Sequence, residues 1–508
     1  MASPNEMLPT LSEKPYQSFA DKFFSDAKRY QNRSAVQLDF TRTMSYSQLA
    51  TLVQIFSYRL HRKGLSRGNK IIISGLQNVE VIISVLATAR LGAVAIIVPK
   101  VSDEDIQKFD PLLIIAKSAN VSTGKIRIEV FPNRFEDITF DEVNFHPSGY
   151  KKGSDLACVV GTSGSTGKRK LLSLTAEHLE QNLIDQESLL PGTLQRTLIS
   201  ISTTASFGLK MALVILRQGG CIIWANADDR VKYILDKKID NIVSAPLAYE
   251  HYTSELSARS TRDSSLDFCL VSGGKISKHL ADKIRRVLCE KIYVQYGMAE
   301  LGPIAIGDAK NLAVLSDYSG NLAPWMKAWA ISADGKRLES GVVGRLVFQL
   351  QAPRRVAPYI DGKNSNPEGI AAEFVSEDFG SIEKDGSVEI KSRISDVVNL
   401  GGNKTTLSSI KEKLFELTDN AFAIEVVNIQ TELGYDRIAV VVASQPHHFK
   451  NYLQAIEKAG VISGNVQIMF VNRFPTNEFG KIDFPELTKA VESAYAQRMG
   501  IAAETRED

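Results

Sequence analysis

Residues 160–170 read Val-Gly-Thr-Ser-Gly-Ser-Thr-Gly-Lys-Arg-Lys and concentrate the groups that grip phosphate. Gly161, Gly164 and Gly167 let the backbone come close to a ligand. Thr162, Ser163, Ser165 and Thr166 supply hydroxyl donors, and Lys168, Arg169 and Lys170 supply positive charge. The segment is not a Walker A loop. One residue too many separates Gly161 from Gly167, Arg169 stands where Ser or Thr should follow the lysine, and Leu171 to Leu174 read as strand rather than helix. The same composition suits a hairpin loop with solvated lysines, and on these residues alone both readings stand. Other chemistries are excluded more sharply. Cys158, Cys221, Cys269 and Cys289 lie far apart with no CxxC, and the seven histidines include no HExxH. The adjacent His447 and His448 cannot present two ligands on one helix face. That argues against a thiolate zinc site, a disulfide framework and metal hydrolysis, and it favours a reducing, cytoplasmic compartment.

The elements that must hold such a loop follow from periodicity. The chain has 508 residues, 44% hydrophobic and 23% charged, and its 60 Lys+Arg against 58 Asp+Glu leave a net charge of +2. That length predicts about three lobes, and the charge gives no reason to expect nucleic acid or an anionic membrane as partner. Residues 81–99 are almost apolar enough to span a bilayer but contain Arg90 and Gly92, and they read better as a buried helix followed by a buried strand. The polar first 15 residues are not a signal peptide. From about residue 70, β-branched runs at 71–73, 93–98, 197–202, 221–225, 242–244, 266–271 and 292–296 alternate with helical stretches at 79–91, 209–217, 249–257 and 276–289. Such alternation predicts α/β architecture with mostly parallel sheets. After about residue 310, short strands at 328–332, 344–350 and 387–391 separated by Asp-Gly turns predict a small antiparallel β region. The last 114 residues predict a compact α+β unit, with strands at 423–427, 438–442 and 466–471 and helices at 407–417, 451–458 and 486–499. The expected division is a large N-terminal domain, 1–394, and a small C-terminal domain, 395–508, with the boundary near Ser395.

Five segments in fixed order resemble the motifs of the adenylate-forming superfamily, which contains acyl-CoA synthetases, adenylation domains and luciferases. Residues 162–170 resemble its phosphate loop, with Arg169 in place of Pro. Gln295-Tyr296-Gly297-Met298-Ala299-Glu300 resembles Tyr-Gly-x-Thr-Glu, with Ala299 replacing Thr. Ser376-Glu377-Asp378 stands where the family has Thr-Gly-Asp. Ser392-Arg393-Ile394-Ser395-Asp396, followed by Gly401-Gly402, resembles the hinge. Pro475 to Ile482 resembles the C-terminal Gly-Lys motif through Gly480 and Lys481. Leu91-Gly92-Ala93 before a strand fits an early motif of the same family.

The resemblance implies ATP-dependent attack of a carboxylate on the α-phosphorus to give an acyl-adenylate and pyrophosphate, then displacement of AMP by a thiol as the small domain reorients. It implies roles in turn. Lys481 bridges carboxylate and α-phosphate; Glu300 holds Mg²⁺ on the phosphates. Thr162, Ser163, Gly164, Ser165, Thr166, Gly167 and Lys170 cradle the phosphates, and Gly273, Gly274, Tyr296 and Gly297 border the adenine. Asp378 and Arg393 meet the ribose, Ala205, Ser206, Gly208 and Met298 border the acyl pocket, and Gly401 and Gly402 line the thiol's path. Away from that register, Lys481 reads as a surface lysine after a turn, and Asp378 and Arg393 as surface ion-pairing residues.

Three departures bear on activity: Ala299 lacks the family's hydroxyl, Ser395 replaces an Asp or Lys, and Asn399 replaces a lysine. Glu300, Asp378, Arg393 and Lys481 are all retained, which predicts an active enzyme. Amino-acid-activating members carry an aspartate for the substrate ammonium, and the aligned position here is Ser206 in a segment without a carboxylate. An uncompensated buried ammonium is costly, so a fatty, aryl or similar carboxylic acid is expected. Only 27 residues follow Lys481, too few for a fused carrier domain of about 80 residues. Coenzyme A or a separate phosphopantetheinyl acyl carrier protein is therefore the expected acceptor. A stand-alone amino-acid adenylating enzyme and a non-catalytic nucleotide-binding homologue remain the alternatives.

Overall fold

The computed structural model describes residues 16–76, 78–118, 127–131, 140–147, 149–162, 170–225, 227–236, 238–257, 266–360, 373–393, 397–400, 403–407, 410–411, 413–414, 423–429, 437–443, 466–476 and 482–499. Ser163, Gly164, Ser165, Thr166, Gly167, Ser395, Gly401, Gly402, Lys481 and the helix expected at 451–458 lie outside the described residues.

Two sheets carry the large part of the chain. In the six-stranded sheet, Arg127–Val130, Leu113–Ala116, Lys70–Ser74, Val94–Val98 and Leu156–Thr162 run parallel, and Lys170–Thr175 returns antiparallel beside Leu156–Thr162. The parallel strands of the thirteen-stranded sheet are Ser34–Gln37, Cys221–Ile223, Arg196–Ile199, Asn241–Ser244, Phe268–Ser272 and Ile292–Met298, in that spatial order. Its antiparallel half continues through Gly302–Asp308, Tyr318–Leu322, Ser387–Arg393, Glu373–Ile382, Gly344–Leu350 and Met326–Ile331. The small antiparallel β region expected after residue 310 is this half, and it continues the parallel sheet. Gly302–Asp308 folds straight back on Ile292–Met298, so the ladder continues where it would otherwise end on an open edge.

Burial explains the apolar runs. Side chains alternate across a strand with period two, and the alternation here separates two hydrophobic clusters. Ile199, Val243 and Leu270 face the inter-sheet core, while Leu198, Ile242, Cys269 and Val271 face a second cluster on the other side. Likewise Ile71, Ile73, Ala95 and Ile97 face inward, and Ile72, Val94, Ile96 and Val98 outward. Strands covered on both faces have no polar side to show, which is why they read as unbroken apolar runs. Helices Tyr46–Arg62, Val79–Arg90, Ala176–Leu189 and Ser206–Arg217 contribute their apolar residues to the inter-sheet core. Every residue from 81 to 98 is buried, in a helix and then a strand as expected. Among the described residues no helix is long and apolar enough to cross a membrane.

In the C-terminal part, Ala423–Ile429 and Val466–Val471 flank Arg437–Ala443, and helix Phe484–Met499 packs Leu487 and Val491 against Val427 and Ile429. Val397–Leu400 and Asn403–Thr406 form a separate hairpin.

Ile242 is fully buried, whereas Val314 is 85% exposed. Ile242→Ala should therefore cost about 2–5 kcal/mol of unfolding free energy in urea titration, and Val314→Ala less than about 0.5 kcal/mol.

Candidate active site

The switch from parallel to antiparallel pairing sets the site. Tyr296 lies near the end of Ile292–Met298, and Glu300 in the turn that leads into Gly302–Asp308. Strands Glu373–Ile382 and Ser387–Arg393 pair with Asp378 directly opposite Arg393. The long-range consequence is a three-residue cluster: Tyr296 Oη donates to Asp378 Oδ2 at 2.6 Å, and Arg393 Nε donates to Asp378 Oδ1 at 2.8 Å. Asp378 is 2% exposed, and its backbone N–H is held by Ser376 Oγ at 3.1 Å. Burial, and then the neighbouring Asp378 charge, push the Tyr296 phenol well above its ordinary range, so it stays a proton donor.

A second group of contacts reaches the phosphate-type loop. Lys170, the first described residue after that loop, pairs with Glu377 at 3.1 Å, and its ammonium sits 5.8 Å from the Tyr359 ring centroid. Tyr359 Oη donates to Glu300 Oε1, and the Ala357 N–H donates to the Glu300 carbonyl at 2.8 Å. Burial and the Glu300 charge together raise the Tyr359 phenol. Glu300, Lys170, Tyr296, Asp378 and Arg393, separated by up to 223 residues, thus belong to one neighbourhood. Thr162 ends its strand at the loop's entrance, in register with Lys170. Gly273 and Gly274 follow Phe268–Ser272, the strand beside Tyr296's own, where Ser272 pairs with Gln295. Gly297 pairs with Pro303 across the turn. Met298 packs into the cluster that also receives Tyr296. Ala299 packs into the inter-sheet core, with a methyl where the family pattern has a hydroxyl.

On the other side of the turn stands helix Ser206–Arg217, with Ala205 as an N-cap that makes no side-chain cap bond. Ser206 is buried, and among the described residues its Oγ has no hydrogen-bond partner. Gly208 is required, because a Cβ there would lie 2.1 Å from the Ser202 carbonyl oxygen. Helix Ala176–Leu189 faces it, tied to Ile292–Met298 by reciprocal amide bonds between Gln186 and Gln295 and to the 350s loop by Arg354 on Asp185, both bonds 2.8 Å.

Sequence reasoning missed Tyr359 and Lys210. Nothing near Tyr359 announces that it meets a carboxylate 59 residues away. Lys210 did leave a signal: it is the lone charge among residues 206–216 of an otherwise apolar helix. It is 6% exposed, its Nζ donates to Asn182 Oδ1 at 2.8 Å, and burial pushes its ammonium down to about 8.

The family described as AMP-binding enzyme matches residues 23–352. The chain belongs to that family. Enterobactin synthase component E of Escherichia coli is 22% identical over 494 residues, covering 89% of this chain and 91% of that protein. The anthranilate CoA ligase AuaEII, solved with anthranoyl-AMP, superposes with a TM-score of 0.76 at 16% identity, over 95% of this chain and 99% of that one. ATP-bound MatB from Rhodopseudomonas palustris gives a TM-score of 0.74 at 18% identity, over 94% and 100%. At these identities the structural likenesses speak for the fold alone, which is that of adenylate-forming enzymes.

Two outcomes follow from the buried charges. Asp378→Ala leaves the buried Tyr296 hydroxyl without its acceptor and should cost about 1–3 kcal/mol of stability, measured by urea unfolding. Lys210→Met should do the reverse. The folded-state ammonium value of about 8 lies below the ordinary 10.5, so the charge penalty is fully present below pH 8 and fades as pH rises from 8 toward 10.5. The variant should gain on the order of 3 kcal/mol at pH 7, and the gap to wild type should narrow by pH 10.

Proposed function

We propose that this chain activates a carboxylic acid with ATP and then passes the acyl group to a thiol. In the first step a carboxylate oxygen forms a bond to the α-phosphorus while the bond from that phosphorus to the pyrophosphate oxygen breaks. In the second, a thiol sulfur bonds to the acyl carbon, AMP departs with its phosphate oxygen, and the thiol proton is released. The observation that carries the reading is the convergence of Asp378, Tyr296 and Arg393 with Glu300 and Lys170 at the mouth of the phosphate-type loop.

Each of these residues has a task that its environment suits. Asp378, bonded by two donors, offers its remaining lone pairs to the ribose hydroxyls, and Arg393 adds positive charge beside it. Tyr296 presents a ring held at a fixed angle by its bond to Asp378. Lys170 and the loop hydroxyls of Thr162, Ser163, Ser165 and Thr166 neutralise phosphate charge. Glu300 fits Mg²⁺: it is a hard oxygen donor beside the phosphate-type loop, and an ion held mainly by phosphates and water needs one such carboxylate rather than an all-protein cage. Bound there, the ion would draw charge from the departing pyrophosphate. The Tyr359 hydroxyl fixes the Glu300 rotamer. Lys481 is assigned to bridge the carboxylate and the α-phosphate, and Gly401 and Gly402 to the thiol's path on a small domain, 395–508, that turns about Ser395 between steps.

The absence of an acid at Ser206 and the buried cation at Lys210 both disfavour an α-ammonium in the pocket. An aryl, fatty or similar acid is the proposed substrate, with coenzyme A or a phosphopantetheinyl carrier protein as acceptor.

The test is pyrophosphate exchange over a panel of acids. Wild type should exchange with plain or aryl acids and not with α-amino acids. Lys481→Ala should lower exchange about a hundredfold or more while sparing thioester formation from supplied acyl-adenylate. Exchange with amino acids only, or equal loss of both half-reactions in the variant, would overturn the reading.

A further inference from the structure

Lys210 is buried, and among the described residues its ammonium makes no ion pair; its hydrogen bond goes to a neutral amide oxygen, Asn182 Oδ1, at 2.8 Å. An ammonium has three donors, and a buried charge without a paired counter-charge is among the costlier arrangements a fold can hold. The groups that influence it from the packed elements are Cys158 and Glu300. Cys158 is itself buried and pushed up to about 12, so it is a neutral thiol and no counter-ion. The Glu300 carboxylate favours the ammonium without pairing with it, and its Oε1 accepts from the Tyr359 hydroxyl instead.

Ser206 lies one helical turn before Lys210, at i and i+4, which places the two on one face of Ser206–Arg217. Among the described residues its buried hydroxyl has no partner. Helix side chains lean toward the N-terminus, so the Lys210 stem runs back over the turn that holds Ser206. That turn begins at Ala205 without a side-chain cap bond, at the positive end of the helix dipole. An ammonium with no ion pair and a buried hydroxyl with no partner, both among the described residues, together suit an anion at this helix start.

The site lies deeper than the loop's entrance. Cys158, whose charge would act on Lys210, stands four residues before Thr162 on its strand, roughly 13 Å along it at strand rise. Asn182 Oδ1 lies 2.4 Å from where a Cβ on Gly302 would be, so the amide that holds Lys210 sits against the turn after Glu300.

We infer that the acid activated by this chain carries a second carboxylate, and that Lys210, with Ser206 beside it, is the residue that selects it. This rests on the adenylation reading and narrows its substrate class. The second carboxylate would take the lysine's open donors and supply the ion pair that it lacks among the described residues. Lys210 is then a specificity-determining residue, not one that handles the reacting carboxylate.

The test compares matched pairs of acids with and without a second carboxylate (succinate against butyrate, glutarate against valerate, phthalate against benzoate) in wild type, Lys210→Met and Lys210→Arg. Wild type should favour the dicarboxylate of at least one pair. Lys210→Met should erase that preference by about thirtyfold or more, carried in KM with kcat kept, and Lys210→Arg should restore part of it. Thermal shift with the same acids and no ATP reads binding apart from turnover. Stabilisation of wild type but not of Lys210→Met by the dicarboxylate, without exchange, would support the lysine's role and sink the adenylation reading instead. A preference unchanged in Lys210→Met, an equal fall of kcat on every acid, or no dicarboxylate preference in either assay would overturn the inference.

Discussion

Asp378 is a buried carboxylate held from two sides, by a phenol at the end of the parallel strands and by a guanidinium on the neighbouring antiparallel strand. A carboxylate taken from water needs its lone pairs occupied, and here the donors come from Ile292–Met298 and Ser387–Arg393, two strands separated in the sheet by Gly302–Asp308 and Tyr318–Leu322. The bond from Tyr296 to Asp378 therefore closes across the sheet rather than along it. It requires the ladder to continue unbroken from the parallel half into the antiparallel half.

Around that joint the structure separates two electrostatic tasks. On the outer side, Lys170 forms an ion pair with Glu377, and the Glu300 carboxylate accepts a hydrogen bond from the Tyr359 phenol. Such pairs are partly exposed and individually weak, which leaves them free to exchange partners with phosphate. The inner side keeps one cation, Lys210, against a neutral amide. The first arrangement tolerates many ligands of like charge; the second sacrifices folding stability for a demand on the ligand, the usual sign of a site kept for binding rather than for the fold.

Helix Ser206–Arg217 carries both roles, and its sequence shows the conflict. Leu209, Met211, Ala212, Leu213, Val214, Ile215 and Leu216 are all core residues, so the helix is buried nearly all round. Ser206 and Lys210 are polar exceptions on one face of it, and Gly208 between them lets the first turn press against the Ser202 carbonyl. Local rules are broken where a ligand is to be met, as expected of functional segments.

Much of this was legible in the residues alone. Short apolar runs rich in β-branched residues are strands buried on both faces because nothing else hides them, and the five motifs in order contain Tyr296, Glu300, Asp378 and Arg393. The α/β character and the compact C-terminal strands followed from period and length. Three things did not follow. That the antiparallel strands would extend the parallel ladder did not show, because strand pairing between distant segments leaves no mark in either one. Tyr359 was invisible, since its partner Glu300 is 59 residues away and a hydroxyl in a loop has no period. Lys210 was visible as an oddity without a meaning. A charge inside an apolar helix gains its significance from what surrounds it, and only the packing around that ammonium shows that it bonds to the Asn182 amide and pairs with no carboxylate of the described residues. Sequence decides which groups are present and which local element each sits in, because those depend on neighbours along the chain. Tertiary structure decides which charges are answered, because that depends on neighbours across it.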